Sequence, residues 1–143
     1  MSQVQHVVIA DPDPRERARA AELLRQPVEA LGMSVQVHHA SDGQVALALI
    51  EQLRPILVVS EVLLEGMSGL AILRRLKNTL PEGQVPPFLF VTAMARESDR
   101  YWGLRNGAHG YVMKPYEEEL LVSRIRDILR PGGTAVPEKL GLL

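Results

Sequence analysis

One stretch limits the folds open to this chain more than any other. It is Ile56-Leu57-Val58-Val59-Ser60, an apolar and β-branched run that stops at the carboxylate of Glu61. The run is too short for a helix, and a continuous apolar run of this length reads as a parallel strand buried on both faces. Side chains alternate along a strand, so Val59 and Glu61 take one side and Val58 and Ser60 the other. In an open α/β sheet, ligands and chemistry collect outside the carboxyl ends of the strands, where Glu61 stands. Gly66 and Gly69 then permit a tight loop before the next helix.

The remaining chain fits the same scheme. Residues 4–10 form a first apolar strand, ended by Asp11-Pro12-Asp13-Pro14, with Asp13 as a helix N-cap and Pro14 at the first helical position. Ala18, Ala21, Leu24, Val28 and Leu31 follow at helical spacing; Pro27 is expected to kink this helix or end a first segment near Arg25, and Gly32 to stop it. A second strand over 35–40 is followed by Ser41-Asp42-Gly43 and a helix over 44–53 closed by Pro55. Ser68 caps a helix through Lys77 with Leu70, Leu73 and Leu76 on one stripe. The Pro- and Gly-containing segment 81–87 is a loop. A fourth strand over 88–91, a helix over 98–105, a fifth strand over 110–113 and a helix over 117–129 complete the pattern. That last helix is acidic at its start and basic towards its end, as its dipole favours. Five strands alternating with five helices predict an α/β fold, a doubly wound five-stranded parallel sheet with helices on both faces. Residues 1–130 form the domain. Residues 131–143 read as a tail or linker whose apolar tip (Leu140, Leu142, Leu143) suits a free end, a dimer contact or the stub of a linker to an effector domain.

Composition narrows the function. A formal net charge of −1 supplies no global field for nucleic acid or an anionic membrane. The chain has no cysteine, which removes disulfides, thiolate metal sites and cysteine nucleophiles and suits a reducing cytoplasm. No apolar run approaches the roughly 20 residues of a membrane span, and no basic-then-apolar leader opens the chain. A cytoplasmic protein is expected.

Suggestive residues stand at four strand ends: Asp11 and Asp13 after the first, Glu61 after the third, Thr92 after the fourth and Lys114-Pro115 after the fifth. With strand order 2-1-3-4-5, the first, third and fourth strands are neighbours, and these groups share one crevice at the switch point. Acids, a hydroxyl and an amine converging there suit divalent-cation and phosphoryl chemistry. The plainer reading, solvated loop residues, holds for any one of them better than for the set. Elsewhere the signals are weak. His6, His38, His39 and His109 show no metal-ligand spacing, and Ser60 lacks a nucleophile elbow. Gly66-Met67-Ser68-Gly69 is no dinucleotide fingerprint, and Arg15, Arg17, Arg19 and Arg25 alternate with acids as a solvated face.

Five motifs in order and at compatible distances resemble the receiver domain of two-component response regulators. They are Val7-Val8-Ile9-Ala10-Asp11-Pro12-Asp13-Pro14, Ser41-Asp42-Gly43, Val62 through Gly69, Val91-Thr92-Ala93, and Gly107 through Tyr116. The resemblance covers residues 4 to about 130 and implies a flavodoxin-like fold. It implies transfer of a phosphoryl group from a histidine kinase to an aspartate at the end of the third strand, assisted by Mg²⁺ on two acids after the first. It implies phosphoryl contacts from Thr92 and Lys114, a switch through Thr92 and the rotamer of Tyr111, and output through the fourth helix, fifth strand and fifth helix. Arg100, Tyr101, Trp102, Arg105 and Tyr111 are the partner-binding candidates on that surface, aromatics and arginines being what hot spots favour.

Two departures from the family pattern decide the reading. Glu61 replaces the phosphoacceptor aspartate, one methylene and about 1.5 Å longer, and an error near 1 Å can cost phosphoryl transfer roughly 10²-fold. Pro12 replaces the second metal-binding acid, leaving Asp11 with Asp13 as a vestigial pair. The expectation is therefore an atypical receiver, not an enzyme and without a cofactor. It acts by protein–protein contact, with a homodimer admitted and no direct nucleic acid or membrane contact. The alternative is a working receiver that accepts phosphate on Glu61 with Mg²⁺; a flavodoxin-like flavin or nucleotide binder lacks the phosphate loop.

Overall fold

The apolar runs pair into one parallel sheet. The computed structural model describes residues 3–132. Strands β1 (Gln5–Ala10), β2 (Val35–Ala40), β3 (Leu57–Ser60), β4 (Phe88–Thr92) and β5 (Gly110–Met113) lie in the order β2-β1-β3-β4-β5. They alternate with helices α1 (Pro14–Ala30), α2 (Gly43–Leu53), α3 (Gly69–Thr79), α4 (Glu97–Arg105) and α5 (Glu118–Leu129). The expected class, strand order and element count are those of the structure. The expected tail, residues 131–143, lies almost wholly outside the described residues.

Strand alternation sorts the sheet into two cores. Val8, Ala10, Val58, Phe88 and Phe90 face α2 and α3, which answer with Ala46, Leu47 and Ile50 and with Ile72, Leu73 and Leu76. Val7, Ile9, Leu57, Val59 and Leu89 face α1 and α5, which answer with Ala20 and Leu24 and with Leu121, Ile125 and Ile128. Each fully buried aliphatic chain of this size contributes about 1.5–3 kcal/mol, so β3, buried at all four positions, is anchored from both sides. That anchoring fixes where its successor, Glu61, emerges.

Two local expectations are corrected. Helix α1 does not end near Arg25 but runs through Pro27 to Ala30. The one backbone bond that proline removes falls near the end of the helix, and the ring is buried in the core rather than left in solvent. The inward stripe of α1 is Ala20, Leu24 and Pro27, flanked by half-buried Ala21 and Val28, and Ala18 is exposed. The caps at Asp13 and Ser68 are as read from the sequence, accepting from Arg15 and Ala71 backbone N–H groups; Asp42, read only as part of a turn, also caps its helix by accepting from Val45 N.

Helix α4 is the least anchored, burying only Gly103 and Leu104. Its C-terminus is tied to α3 instead, where Arg74 Nε donates to Asn106 Oδ1 at 3.1 Å and Lys77 Nζ to Asn106 O at 2.9 Å.

The loop between Glu61 and α3 is clamped against the start of α2. Gly43 N donates to Glu65 O at 2.9 Å, and a Cβ on Gly43 would lie 1.8 Å from Met67 O. Backbone meets backbone there, so no rotamer change relieves the overlap. Gly43→Ala is expected to lower the unfolding free energy by about 3 kcal/mol in urea denaturation, with the slope unchanged. A loss below about 0.5 kcal/mol would show that the loop is not held by this contact.

Candidate functional site

The parallel register sets the strand ends side by side. Ala10 pairs with Ser60, and Thr92 with Met113, so Asp11, Glu61, Thr92 and Lys114 emerge at one edge of the sheet. Backbone bonds hold them there: Glu61 N donates to Ala10 O at 2.8 Å and Lys114 N to Thr92 O at 2.8 Å.

Glu61 is buried, and both carboxylate oxygens are engaged. Oε2 accepts from the Thr92 hydroxyl and from Leu63 N at 3.0 Å. Oε1 accepts from Ala93 N and from Lys114 Nζ, both at 3.2 Å. Burial alone would raise this carboxyl, but the Thr92 hydrogen bond, the two backbone donors and the Lys114 charge together hold it below the usual glutamate range.

Lys114 is the hub. Its ammonium lies 2.6 Å from Asp11 Oδ2, 3.2 Å from Glu61 Oε1 and 3.5 Å from Glu16 Oε1. Burial pulls its proton affinity down, yet the bond and charge of Asp11, then those of Glu61, outweigh this and hold it above the usual lysine range. Three carboxylates around one cation is the local charge balance. Asp11 spends its other oxygen on Asp13 N at 2.9 Å, and its carbonyl accepts from Arg17 Nη1 at 2.6 Å.

Asp13 does not join this group. It is exposed and caps α1 through Arg15 N at 2.9 Å, so its pairing with Asp11 as a vestigial metal site is corrected: an N-cap side chain points back along its own helix, away from the crevice. Octahedral Mg²⁺ needs several hard oxygens, and the donors present do not fit it. Pro12 offers none, and Asp11 and Glu61 are already bonded to the Lys114 ammonium. Among the described residues, no group of three His, Asp or Glu side chains is placed to hold a metal ion.

Thr92 and Tyr111, expected to switch, are both connected to the crevice. Thr92 is fully buried, and its hydroxyl also accepts from Met94 N at 3.1 Å. Tyr111 OH donates to Met94 O at 2.8 Å, and its ring lies edge-on to Phe90. Burial, then the charges of Asp99 and Glu61, push the Tyr111 phenol up to about 12. The inward pose depends on Gly103, where a Cβ would lie 2.7 Å from the Tyr111 ring.

The partner candidates divide. Trp102 is 53% exposed, with Tyr101 half-buried and edge-on to it at 5.2 Å, and Arg105 is exposed. Tyr111 is corrected: its inward ring leaves it 6% exposed, too little to present to a partner. Arg100 is mostly covered, near Glu97 at 4.0 Å. The histidines stay outside the crevice. His6 Nδ1 and His38 Nε2 meet at 3.0 Å across β1 and β2, while His39 is exposed.

Sequence reasoning missed Glu16, Leu63 N and Ala93 N as members of the site. The signal for Glu16 was an acid in the first turn of the helix that leaves the crevice; the two amides follow the carboxyl ends of β3 and β4, where free N–H groups are expected.

Removing the hub leaves buried carboxylates without a partner. Lys114→Met is expected to cost about 3 kcal/mol in urea denaturation at neutral pH. The wild-type contribution has two limits. The depressed Glu61 stabilises above its unfolded value and loses that effect as pH falls through its lower folded value. The raised Lys114 stabilises below its unfolded value and loses it as pH rises through its higher folded value. The difference between wild type and variant should therefore be flat across neutral pH and shrink at both the acidic and the strongly alkaline end. A difference that grows in acid contradicts the ion-pair account.

Comparison with known proteins agrees with this arrangement. The family description "Response regulator receiver domain" matches residues 7–126. The chain is 35% identical to the transcriptional regulatory protein TrcR of Mycobacterium tuberculosis over 87% of its own length and 45% of that protein's. It is 33% identical to the DNA-binding response regulator MtrA of Mycolicibacterium smegmatis over 96% of its length and 56% of that protein's. Among solved structures, the response regulator DrrB of Thermotoga maritima superposes with a TM-score of 0.71 at 25% identity, covering 89% of this chain and 53% of that one. A putative response regulator from Chloroflexus aurantiacus superposes with a TM-score of 0.69 at 29% identity, covering 88% and 98%. The chain spans about half the length of the curated relatives it matches. Its sheet order, its crevice and its relatives agree, and the chain belongs to the response regulator receiver domains of two-component signalling.

Proposed function

We propose that this receiver domain signals by protein–protein contact, largely independently of phosphoryl transfer to residue 61. One observation carries the reading: the Glu61 carboxylate already holds the Thr92 hydroxyl and the Lys114 ammonium, the groups that the family resemblance assigns to phosphoryl oxygens. An acceptor needs a free oxygen aimed in line at the incoming phosphorus. Here each oxygen accepts two hydrogen bonds, and the ammonium sits among the carboxylates where a divalent cation would have to enter.

The same contacts favour one standing conformation. A unit-charge pair about 4 Å apart attracts by about 4 kcal/mol at an effective dielectric near 20, with desolvation opposing it. Phosphoaspartate brings nearly two negative charges and glutamate one, so Glu61 is a partial mimic. A partial bias suffices where the two states differ by a few kcal/mol. Inward Tyr111, bonded to the loop that also contacts Thr92, fits such a state. In this reading the output surface is α4, β5 and α5, with Trp102 and Arg105 its exposed contacts.

Incubation with Mg²⁺ and a small phosphoryl donor, followed by intact-mass measurement, tests the proposal. The wild type should gain no phosphoryl group, stable or transient. A gain mapped to Glu61 overturns the reading and favours a working phosphoacceptor. Glu61→Asp in parallel separates the causes: uptake restored in that variant assigns the loss to side-chain length, and continued inertness assigns it to Pro12 as well.

A further inference from the structure

Beside Tyr111, a cavity of about 380 Å³ lies between α3 and α4. Its apolar wall is Val62, Leu70, Met94, Trp102 and Tyr111. Ligand sites of this kind run from about 300 to 1,000 Å³ and combine an apolar lining with a few polar groups. This volume suits a molecule of one or two rings. The two aromatic walls favour a π-system as occupant, since edge-to-face and offset contacts add to simple burial.

Two charged residues reach the cavity, Arg74 and Asp99. Asp99 is already committed: Oδ2 accepts from Arg96 N at 3.2 Å and Arg96 Nε at 3.3 Å, and the side chain is mostly covered. Arg74 is exposed and meets no carboxylate among the described residues; one of its five N–H donors goes to the neutral amide of Asn106. The cavity therefore carries at its rim one guanidinium fork with donors to spare, beside the Asp99 carboxylate that Arg96 holds. A planar fork of this kind pairs best with a carboxylate or similar oxyanion.

We propose that this cavity is a binding site for a small aromatic anion, its ring between Leu70, Met94, Trp102 and Tyr111 and its acid group on Arg74. The site is wired to the crevice. Tyr111 OH bonds Met94 O, Met94 N bonds the Thr92 hydroxyl, and that hydroxyl bonds Glu61. A molecule that packs on Tyr111 touches the residue whose rotamer distinguishes receiver states in the family resemblance, and through Met94 the bond to Thr92, without any phosphoryl chemistry. The site stands on its own lining and does not depend on what residue 61 accepts.

Two probes with the same ring and opposite charge, 1-naphthylacetate and 1-naphthylmethylammonium, test it on the full ¹⁵N-labelled chain by two-dimensional NMR. The anion should give saturable shifts at the Trp102 indole N–H and at the amides of Leu70, Met94 and Gly103, with the ammonium binding about tenfold more weakly. Arg74→Gln, which keeps a donor for Asn106, should weaken the anion about tenfold. Leu70→Trp, which fills the cavity with Arg74 intact, should abolish its shifts. No saturable shifts at these positions, equal binding of the two probes, or anion binding unaltered by both substitutions overturns the proposal.

Discussion

The Lys114 ammonium, held among Asp11, Glu61 and Glu16, is the interaction on which this domain's character depends. Three acids brought to one sheet edge repel one another, and a mostly buried site gives them little water to screen that repulsion. A cation is obligatory. The side chain after β5 supplies it from within the fold. The same choice commits the oxygens of Asp11 and Glu61, and with them the groups that an incoming phosphoryl donor or divalent ion would need. In the proposed reading, charge balance and the loss of phosphoryl transfer are two consequences of one contact.

That contact is possible because the sheet is rigid beneath it. Leu57 to Ser60 are buried at every position, so the point where Glu61 leaves the sheet is fixed. The extra methylene of glutamate is then not a free degree of reach. It carries the carboxylate onto the Thr92 hydroxyl and the Ala93 amide. From Thr92 the hydrogen bonds pass through Met94 to Tyr111, and the absence of a side chain at Gly103 gives the tyrosine ring its inward place. The helix that pays for this arrangement is α4. It contains a mid-helix glycine, buries little, and depends on Arg74 and Lys77 of α3 to hold its C-terminus. Its exposed Trp102 and the cavity beside it lie in the part of the molecule with the least packing to lose.

Much of this was legible in the sequence, for reasons that differ by element. The strands announced themselves because buried parallel strands are nearly continuous apolar runs, and with the order 2-1-3-4-5 Asp11, Glu61, Thr92 and Lys114 fall in one crevice. Helix starts were legible at Asp13 and Ser68 because capping is a local interaction between a side chain and the next two or three amides. Pro27 misled because its tolerance depends on a core that only the tertiary fold provides. Asp13 misled in the opposite direction: its sequence neighbour suggested a metal partner, while its own helix had the nearer claim. Glu16 and the Gly43 clamp were invisible because they join segments far apart in the chain, and no periodicity encodes such a meeting. Whether Trp102 faces in or out was likewise undetermined by a helix with so few apolar residues; the fold turns it outward.

The proposed function requires that the crevice be satisfied by its own side chains and admit no divalent cation. A magnesium titration of the ¹⁵N-labelled domain, following the backbone amides of Asp11, Asp13, Glu61 and Lys114, tests this most directly. The account predicts only small, linear, non-saturating shifts across the physiological range of free magnesium. Saturable shifts confined to those four amides would show an ion entering between Asp11 and Glu61, and the account would be wrong.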